Sequence, residues 1–230
     1  MVTLSVIATP IGNRDDITPR ALRILQEVTH VFAEDTRVAR QWLTLAHSSA
    51  KLISCHQHSN VRPLIEALRA GNSVAYISDA GAPGISDPGG QVVATVREVL
   101  PNVKISPIPG ASALICAAMT CGWPVHSFTF LGFPPHKKGR KAFFSQLKAS
   151  SHPFFFFESV HRIPIMIKNL IEVVPLNARI YYGRELTKKF ESIYEGVRDV
   201  ALEQLAKEPL KGEFVIGVWT GCHTSSSKTE

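Results

Sequence analysis

Short apolar runs alternate along the chain with longer segments in which apolar residues recur at helical spacing. The run at residues 4–8 predicts a strand. Thr18 followed by Pro19 predicts a helix start, with the hydroxyl as N-cap and the proline at the first helical position. Further strands are predicted near residues 31–33, 51–55, 73–78 and 103–107, and further helices near residues 36–46, 61–70, 87–100 and 111–121. This alternation favours a parallel α/β architecture over a sandwich or a helical bundle.

The rhythm changes after the helix-breaking sequence Gly122-Trp123-Pro124. Beyond it the pattern predicts strands near residues 127–131, 154–157, 178–182, 190–194 and 213–219, and helices near residues 139–148, 160–173 and 199–207. We therefore predict two α/β domains, residues 1–121 and 122–222, followed by a polar, disordered tail at residues 223–230.

Composition excludes a disordered chain and adds one local feature, a basic patch. With 45% hydrophobic residues among 230, the chain can bury the core of one domain or two small ones. The net charge of +6 resides mostly beyond residue 120, where 15 basic residues face 10 acidic ones. No carboxylate lies between Lys104 and Glu158, and the basic residues within that stretch are Lys137, Lys138, Arg140, Lys141 and Lys148. They predict either a local binding patch or a solvated helix face.

The cysteines indicate the compartment more clearly than they indicate a metal. They show no CxxC spacing, which favours a reducing, cytoplasmic environment. The four are Cys55, Cys116, Cys121 and Cys222. The sequence Cys55-His56-Gln57-His58 offers metal ligands, but neighbours on an extended chain point to opposite faces and no second ligand pair follows. We therefore expect no metal site.

A membrane or secretory role is not expected. No basic leader precedes the first apolar run, so the start of the chain does not resemble a signal peptide. Residues 105–136 carry no Asp, Glu, Lys or Arg, but prolines and glycines interrupt them before a bilayer-spanning length is reached. We expect a soluble protein in which this stretch forms buried core.

Three loops that follow predicted strands contain the small and kinked residues that let backbone approach a ligand. They are residues 8–13, 78–90 and 107–113. Because strand carboxyl ends meet at one edge of an open α/β sheet, we expect the loops to form one pocket, although each alone could be only a tight turn. No loop matches a P-loop or a dinucleotide fingerprint. Loops rich in backbone, with Asp79 and Ser112, suit an adenosine-containing cofactor with amino-acid character.

Seven motifs follow one another from residue 8 to about residue 218. They read ATPIGN (8–13) with DITPRAL (16–22), SDAGAPGISDPG (78–89), PGASA (109–113), GFPPHKKGR (132–140), FESVHR (157–162), GRELTK (183–188) and GEFV (212–215). In wording and order they resemble the small-subunit ribosomal RNA methyltransferase I family. The resemblance covers nearly the whole chain.

This resemblance implies a fold and an activity. The fold is that of the tetrapyrrole (corrin/porphyrin) methylases, two α/β domains with S-adenosylmethionine in the cleft between them. Members of the family methylate the ribose 2′-hydroxyl of a cytidine in the decoding region of 16S ribosomal RNA, and they are usually homodimers. We therefore expect a homodimeric methyltransferase that binds S-adenosylmethionine and 16S ribosomal RNA or the small ribosomal subunit.

The resemblance also implies cofactor contacts in the three loops and at one strand end. These would be Pro10, Ile11, Gly12, Asp79, Ala80, Gly81, Ala82, Ile85, Ser112, Ala113 and Glu158. The chain departs from the family wording at Ala82, Gly84, Val160 and Gly183, which are small changes in loops. It also stops soon after Trp219, without the helical extension that many members carry, so we do not expect RNA docking through such an extension.

Methyl transfer to a ribose hydroxyl needs a positioned acceptor, exclusion of water, and a base or a cation for the developing alkoxide. Candidate catalytic residues follow two predicted strands in the second half: Glu158, Arg184, Glu185 and Lys188. Lys188 could act as a base if its neighbours lower its pKa, or Glu185 and Arg184 could form a structural ion pair instead.

The basic patch gains a role from this hypothesis. Lys137, Lys138, Arg140 and Lys141 surround Gly139 and predict a phosphate-contact site that positions RNA without reading its sequence. Phe133 or His136 could stack on a base, and His161 and Arg162 are further candidates for RNA contact.

Two other functions remain compatible with the residues. A methyltransferase of tetrapyrrole intermediates could use the same fold and the same cations, because its substrates are acidic. A non-catalytic RNA-binding homologue could keep the pocket only as architecture. The wording of residues 78–81 and the ordered match elsewhere favour the ribosomal RNA methyltransferase.

Overall fold

A computed structural model of the chain describes residues 1–55, 61–148 and 151–221. His56, His58, Cys222 and the predicted tail at 223–230 lie outside the described residues. Contacts divide the chain into two compact units, Met1–Ser112 and the remainder from Ala113 on. No helix in the described ranges combines the length and the apolar character that crossing a membrane requires.

The first unit is a parallel α/β sheet. Its described strands run in the order β3-β2-β4-β1-β5, and every described pair is parallel. The strands are β1 (Thr3–Ile7), β2 (His30–Ala33), β3 (Lys51–Ser54), β4 (Val74–Ile77) and β5 (Lys104–Ile108), and the helices are α1 (Pro19–Glu27), α2 (Thr36–Leu45), α3 (Arg62–Arg69) and α4 (Gly89–Val99). The parallel architecture predicted from the alternation is confirmed here.

Helices cover both faces of this sheet, which is why its strands are apolar on both sides. One face packs Ile7, Val31 and Ile77 with residues of α1 and α2. The opposite face packs Phe32 and Tyr76 with residues of α3 and α4. The predicted start of α1 is confirmed, because the Thr18 hydroxyl accepts a hydrogen bond from the Ala21 N–H at 3.1 Å.

The second unit is a mixed sheet in the order β6-β7-β10-β8-β9. Its described strands are β6 (Thr129–Phe130), β7 (Phe154–Ser159), β8 (Arg179–Arg184), β9 (Ser192–Val197) and β10 (Glu213–Trp219), and its helices are α5 (Ala113–Thr120), α6 (Arg140–Ser145), α7 (Ile163–Val173) and α8 (Arg198–Lys207). β6 and β7 are parallel, whereas the other described pairs are antiparallel. The general prediction of parallel strands is therefore wrong for this unit. Residues 185–191, which join β8 to β9, are too few for a crossover helix.

Two layers pack against the second sheet. On one face Phe156, Tyr182 and Ile216 form a core with residues of α6, α7 and α8. The other face carries Phe155 and Tyr181, and the Tyr181 hydroxyl shares a 2.8 Å hydrogen bond with Thr120 at the end of α5. α5 is thus part of this unit, whereas the boundary expected after residue 121 assigned it to the first domain.

Candidate functional site

Three loops of the first unit adjoin one another at the carboxyl edge of its sheet. They follow β1, β4 and β5, which are neighbours in the sheet. Thr9 and Gly81 form an isolated bridge, in which the Thr9 N–H donates to the Gly81 carbonyl at 3.0 Å and the Gly81 N–H donates back at 2.9 Å. The Ala8 N–H donates to the Ile108 carbonyl at 3.1 Å. The loops therefore adjoin one another as expected, and the single pocket that they were expected to form stays a prediction.

Two glycines allow this close approach. Gly81 has a φ of +80°, and a Cβ there would lie 3.3 Å from the Cγ2 atom of Ile11. A Cβ on Gly110 would lie 3.1 Å from that of Ala8. The loops therefore present main chain and small side chains at this edge, which suits a ligand bound through backbone groups.

The predicted cofactor residues occupy these loops with different exposures. Pro10 and Gly81 are buried, Ile11, Asp79 and Ala82 are half-buried, and Gly12, Ala80 and Ile85 are exposed. Ser112 ends the first unit and Ala113 begins the second, both half-buried. Glu158, the last predicted cofactor residue, lies in the second unit at the end of β7.

A polar segment that the sequence analysis did not select also reaches this edge. The Asp35 N–H donates to Asp79 Oδ1 at 2.9 Å, which ties the residues after β2 to the loop after β4. An open depression of about 500 Å³ is lined by Glu34, Asp35, Thr36, Arg37, Ser54 and Asp79. In the sequence, this segment could have been recognised as a run of polar residues that follows a buried strand of the same parallel sheet.

Asp35 is held in place by Arg37. Its Oδ1 caps α2 by accepting from the Arg37 N–H at 2.8 Å, and its Oδ2 pairs with the Arg37 guanidinium at 2.6 Å. The hydrogen bond from the Arg37 side chain, helped by that from its N–H, lowers the pKa of Asp35 to about 2. One wall of the depression is therefore an ionised carboxylate at neutral pH.

In the second unit, Glu158 lies fully buried between two arginines. Its Oε2 pairs with Arg140 at 3.2 Å, and its Oε1 pairs with Arg162 at 2.8 Å. The Ser159 N–H also donates to Oε1 at 2.9 Å. Both carboxylate oxygens are thus engaged by the protein itself.

Arg140 and Arg162 do not lie on the surface with the lysines. Arg140 is buried and also donates to Asn169 and to the Pro135 carbonyl, while Arg162 also donates to the Pro134 carbonyl. The prediction that Arg140 joins an exposed phosphate-contact cluster is corrected on this point, because its guanidinium turns inward to Glu158. Lys137, Lys138, Lys141 and His161 are exposed.

Arg184 lies on the same face of the second sheet as Glu158 and at the same end of its strands. Phe214 of β10 pairs with Glu158 on one side and with Arg184 on the other, and directly opposed residues share a face. Arg184 is buried and donates to the carbonyls of Lys211 and Phe190 at 2.8 and 3.0 Å. Its ion-pair partner is Glu208 at 3.7 Å. The alternative of a pair between Arg184 and Glu185 is therefore not what the structure shows.

Glu185 pairs with Lys188 instead. The Lys188 Nζ atom lies 2.8 Å from Glu185 Oε1 and 2.7 Å from Glu213 Oε2, and the Glu213 N–H donates to Glu185 Oε1 at 3.1 Å. Gly212 makes room for this group, because a Cβ there would overlap the Glu185 side chain.

These contacts fix the ionisation of the pair. Burial alone would lower the pKa of Lys188, but its hydrogen bonds to Glu185 and Glu213 raise it above the ordinary value. Burial alone would raise the pKa of Glu185, but the hydrogen bonds from Lys188 and the Glu213 N–H lower it. The hypothesis of a lysine base with a lowered pKa is therefore wrong, because Lys188 is an ammonium held by two carboxylates.

Comparison with known proteins supplies a family. The model of the Tetrapyrrole (Corrin/Porphyrin) Methylases matches residues 3–201. The ribosomal RNA small subunit methyltransferase I of Halalkalibacterium halodurans is 37% identical over 218 residues, which cover 93% of this chain and 74% of that protein. The protein of the same name from Borrelia garinii subsp. bavariensis is 40% identical over 224 residues, which cover 93% of this chain and 96% of that protein.

Solved structures agree on the fold. The uroporphyrin-III-C-methyltransferase of Thermus thermophilus superposes with a TM-score of 0.67 at 19% identity, covering 96% of both chains. The methyltransferase CobJ gives a TM-score of 0.69 at 19% identity, covering 96% of this chain and 95% of that one. The chain therefore has the tetrapyrrole methylase fold and belongs to the ribosomal RNA small subunit methyltransferase I family.

Proposed function

We propose that the chain is an S-adenosylmethionine-dependent methyltransferase that methylates the ribose 2′-hydroxyl of a cytidine in the decoding region of 16S ribosomal RNA. The observation that carries the proposal is the exposed group Lys137, Lys138 and Lys141, in a stretch without a carboxylate, on a chain whose relatives are named for ribosomal RNA. Exposed cations of this kind suit phosphate contacts. The resemblance to the family also supports a homodimer, which light scattering would measure.

The loops of the first unit fit the proposed cofactor. The main chain around Gly81 and Gly110 is closely packed, and an added Cβ at either position would be tight enough against Ile11 or Ala8 that the neighbour would have to give way. Pro10, Ile11 and Gly12 would contact the cofactor from the first loop, Asp79, Ala80, Gly81, Ala82 and Ile85 from the second, and Ser112 and Ala113 from the third. When bound, S-adenosylmethionine supplies an electrophilic methyl group on its sulfonium.

Glu185 and Lys188 are the residues we assign to the acceptor hydroxyl. A ribose hydroxyl is a poor nucleophile at neutral pH, so charge that develops on its oxygen must be stabilised as the proton leaves. The Lys188 ammonium can donate a hydrogen bond to that oxygen, and the ionised Glu185 carboxylate can accept the proton. The lowered pKa of Glu185 makes it a weak base, so we assign the larger effect to Lys188.

The exposed lysines, with Phe133 and His161, are the residues we assign to RNA. Phe133 is 51% exposed next to the lysines, where it can stack on an unpaired base. The lysine ammonium groups would lie against phosphates and hold the strand without reading its sequence.

Reversing two of these charges tests the RNA surface. We expect Lys137→Glu with Lys138→Glu to weaken binding to small ribosomal subunits and to lower the slope of log K against log salt by about 2. Filter binding across a salt series measures this, and calorimetry should show unchanged affinity for S-adenosylmethionine. Lys51→Glu with Arg97→Glu is the matched control, since it reverses the same charge on exposed residues of the first unit. A loss of cofactor affinity in the first variant would contradict the assignment.

Crowding the second loop tests the cofactor surface. We expect Gly81→Val to lower the affinity for S-adenosylmethionine about tenfold or more. The new side chain meets Ile11, and valine disfavours the positive φ of this position by roughly 1–2 kcal/mol. Gly71→Val is the control: Gly71 has a similar φ of +83°, but an added Cβ there meets no described atom within 4 Å. Calorimetry on both variants separates crowding from backbone strain. Equal losses in the two would contradict the placement of the cofactor.

The activity itself is tested with labelled S-adenosylmethionine and two acceptors. We expect label in small ribosomal subunits from a strain lacking this protein, followed by mapping of the methylated nucleotide to a cytidine ribose. Label in a porphyrinogen instead would support the tetrapyrrole alternative. Absence of cofactor binding in calorimetry would support the non-catalytic RNA-binding alternative.

A further inference from the structure

The loop that carries the exposed Lys137 and Lys138 contains two consecutive prolines, and the carbonyls of both prolines accept hydrogen bonds from arginine side chains. Residues 132–139 make up most of the connection between β6 and α6 and include Phe133, Lys137 and Lys138. The Pro134 carbonyl accepts from Arg162 at 2.8 Å, and the Pro135 carbonyl accepts from Arg140 at 3.2 Å. Proline has no N–H, so neither residue can fasten the loop through a backbone donor. These two carbonyl contacts therefore do much to define the loop.

Both arginines are fixed by a single carboxylate. Glu158 binds Arg140 through Oε2 and Arg162 through Oε1, and its side chain is fully buried. Further bonds orient each guanidinium: Arg140 donates to Asn169 at 3.0 Å, and Arg162 donates to the Ser159 hydroxyl at 2.9 Å. The orientation of both loop contacts thus depends on the negative charge of Glu158.

We propose that Glu158, Arg140 and Arg162 are positioning residues that hold the 132–139 loop in the shape in which its lysines meet RNA, rather than residues that touch cofactor, RNA or the reacting atoms. Two arginines around one carboxylate leave one excess positive charge. The two proline carbonyls carry partial negative charges and accept hydrogen bonds from the guanidinium groups, which stabilises that charge. Glu158 therefore links the end of β7 to the surface that binds substrate. The choice of RNA as the ligand rests on the proposed function, whereas the anchoring of the loop does not.

Trypsin tests the anchor without any substrate. Cleavage after Lys137 or Lys138 requires local opening of the loop, so its rate reports how firmly the loop is held. We expect Glu158→Gln to accelerate cleavage at these lysines about tenfold or more, and Arg162→Gln, which keeps the pair of Arg140 and Glu158, to do so by a smaller factor. Glu203→Gln is the control, because it removes an exposed carboxylate that pairs with Lys207 on α8. Cleavage at the wild-type rate in both the Glu158→Gln and the Arg162→Gln variant would overturn the proposal.

Kinetics with small ribosomal subunits separate positioning from catalysis. We expect Glu158→Gln and Arg162→Gln to raise the KM for the subunit about tenfold, with kcat and the Kd for S-adenosylmethionine nearly unchanged. Glu158→Asp should restore part of the KM, because it returns the charge at a shorter reach. A collapse of kcat at unchanged KM would make Glu158 catalytic and overturn the proposal.

The two proposals fail separately. If subunits accept no methyl group but Glu158→Gln still accelerates trypsin cleavage at the loop, the proposed function falls and the anchor stands. If subunits are methylated while the Glu158→Gln and Arg162→Gln variants keep the wild-type cleavage rate and KM, the proposed function stands and the anchor falls. If Glu158→Gln does not fold, Arg162→Gln alone decides, since the Arg162 side chain is 15% exposed and its loss leaves Glu158 paired with Arg140.

Discussion

Replacing Lys188 by methionine is expected to lower kcat for methyl transfer about 10²- to 10³-fold, the usual effect of removing a donor that stabilises developing negative charge. Methionine keeps the length and the apolar stem of lysine but removes the ammonium. The loss should appear in kcat and kcat/KM alike, because the interaction forms only as the hydroxyl develops charge. Affinities for S-adenosylmethionine and for the subunit should remain within about twofold.

The adjacent Lys189 supplies the control. It is exposed, and Lys189→Met removes the same charge one residue away, where the ammonium lies over the Phe190 ring. Single-turnover methylation of small ribosomal subunits, with both variants at saturating cofactor, measures the chemical step. Equal rates for Lys188→Met and the wild type would remove Lys188 from the mechanism and leave the ion pair with Glu185 as a purely structural contact.

The first unit was largely predictable from sequence because its signals are local. The dipeptide Thr18-Pro19 predicts both an N-cap and a first helical residue, and in the structure Thr18 caps the helix that begins at Pro19. The three loops could be located because glycine and proline directly follow apolar runs, and parallel strands bring such loops to one edge. The polar residues from Glu34 to Arg37 follow the same rule, but they contain no glycine or proline and were missed.

The second unit was harder because its organisation depends on long-range contacts. Strand direction is not encoded in the apolar pattern, so the antiparallel pairing of β10 with β7 and β8 could not be predicted from it. α5 is apolar enough to pack in either domain, and it is placed in the second unit by long-range contacts such as the hydrogen bond between Thr120 and Tyr181.

Charge counting likewise failed to separate exposed cations from buried ones. Arg140 looks like its neighbours Lys138 and Lys141 in sequence, but its partner Glu158 lies 18 positions away. The same difficulty applies to Arg184, whose partner is Glu208 rather than the adjacent Glu185. A guanidinium can make several directed bonds in a fixed plane, which suits it to such buried hubs better than an ammonium.

Removing Glu158 altogether should be the most destabilising single substitution among the residues discussed. We expect Glu158→Ala to lower the free energy of unfolding by about 3–5 kcal/mol, because it leaves the buried Arg140 and the largely buried Arg162 without their carboxylate. Urea denaturation followed by circular dichroism measures this. Glu203→Ala, which breaks an exposed pair on α8, should change stability by less than about 1 kcal/mol.

A double substitution tests whether the loss comes from unpaired charge. If repulsion and desolvation of the two arginines dominate, adding Arg140→Met to Glu158→Ala should recover part of the stability, because the second change removes one orphaned cation and leaves a side chain of similar length. If the loss comes from the cavity left by the glutamate side chain, the second substitution should destabilise the protein further. A Glu158→Ala variant as stable as Glu203→Ala would show that Arg140 and Arg162 are satisfied without the carboxylate, and the electrostatic account of this cluster would be wrong.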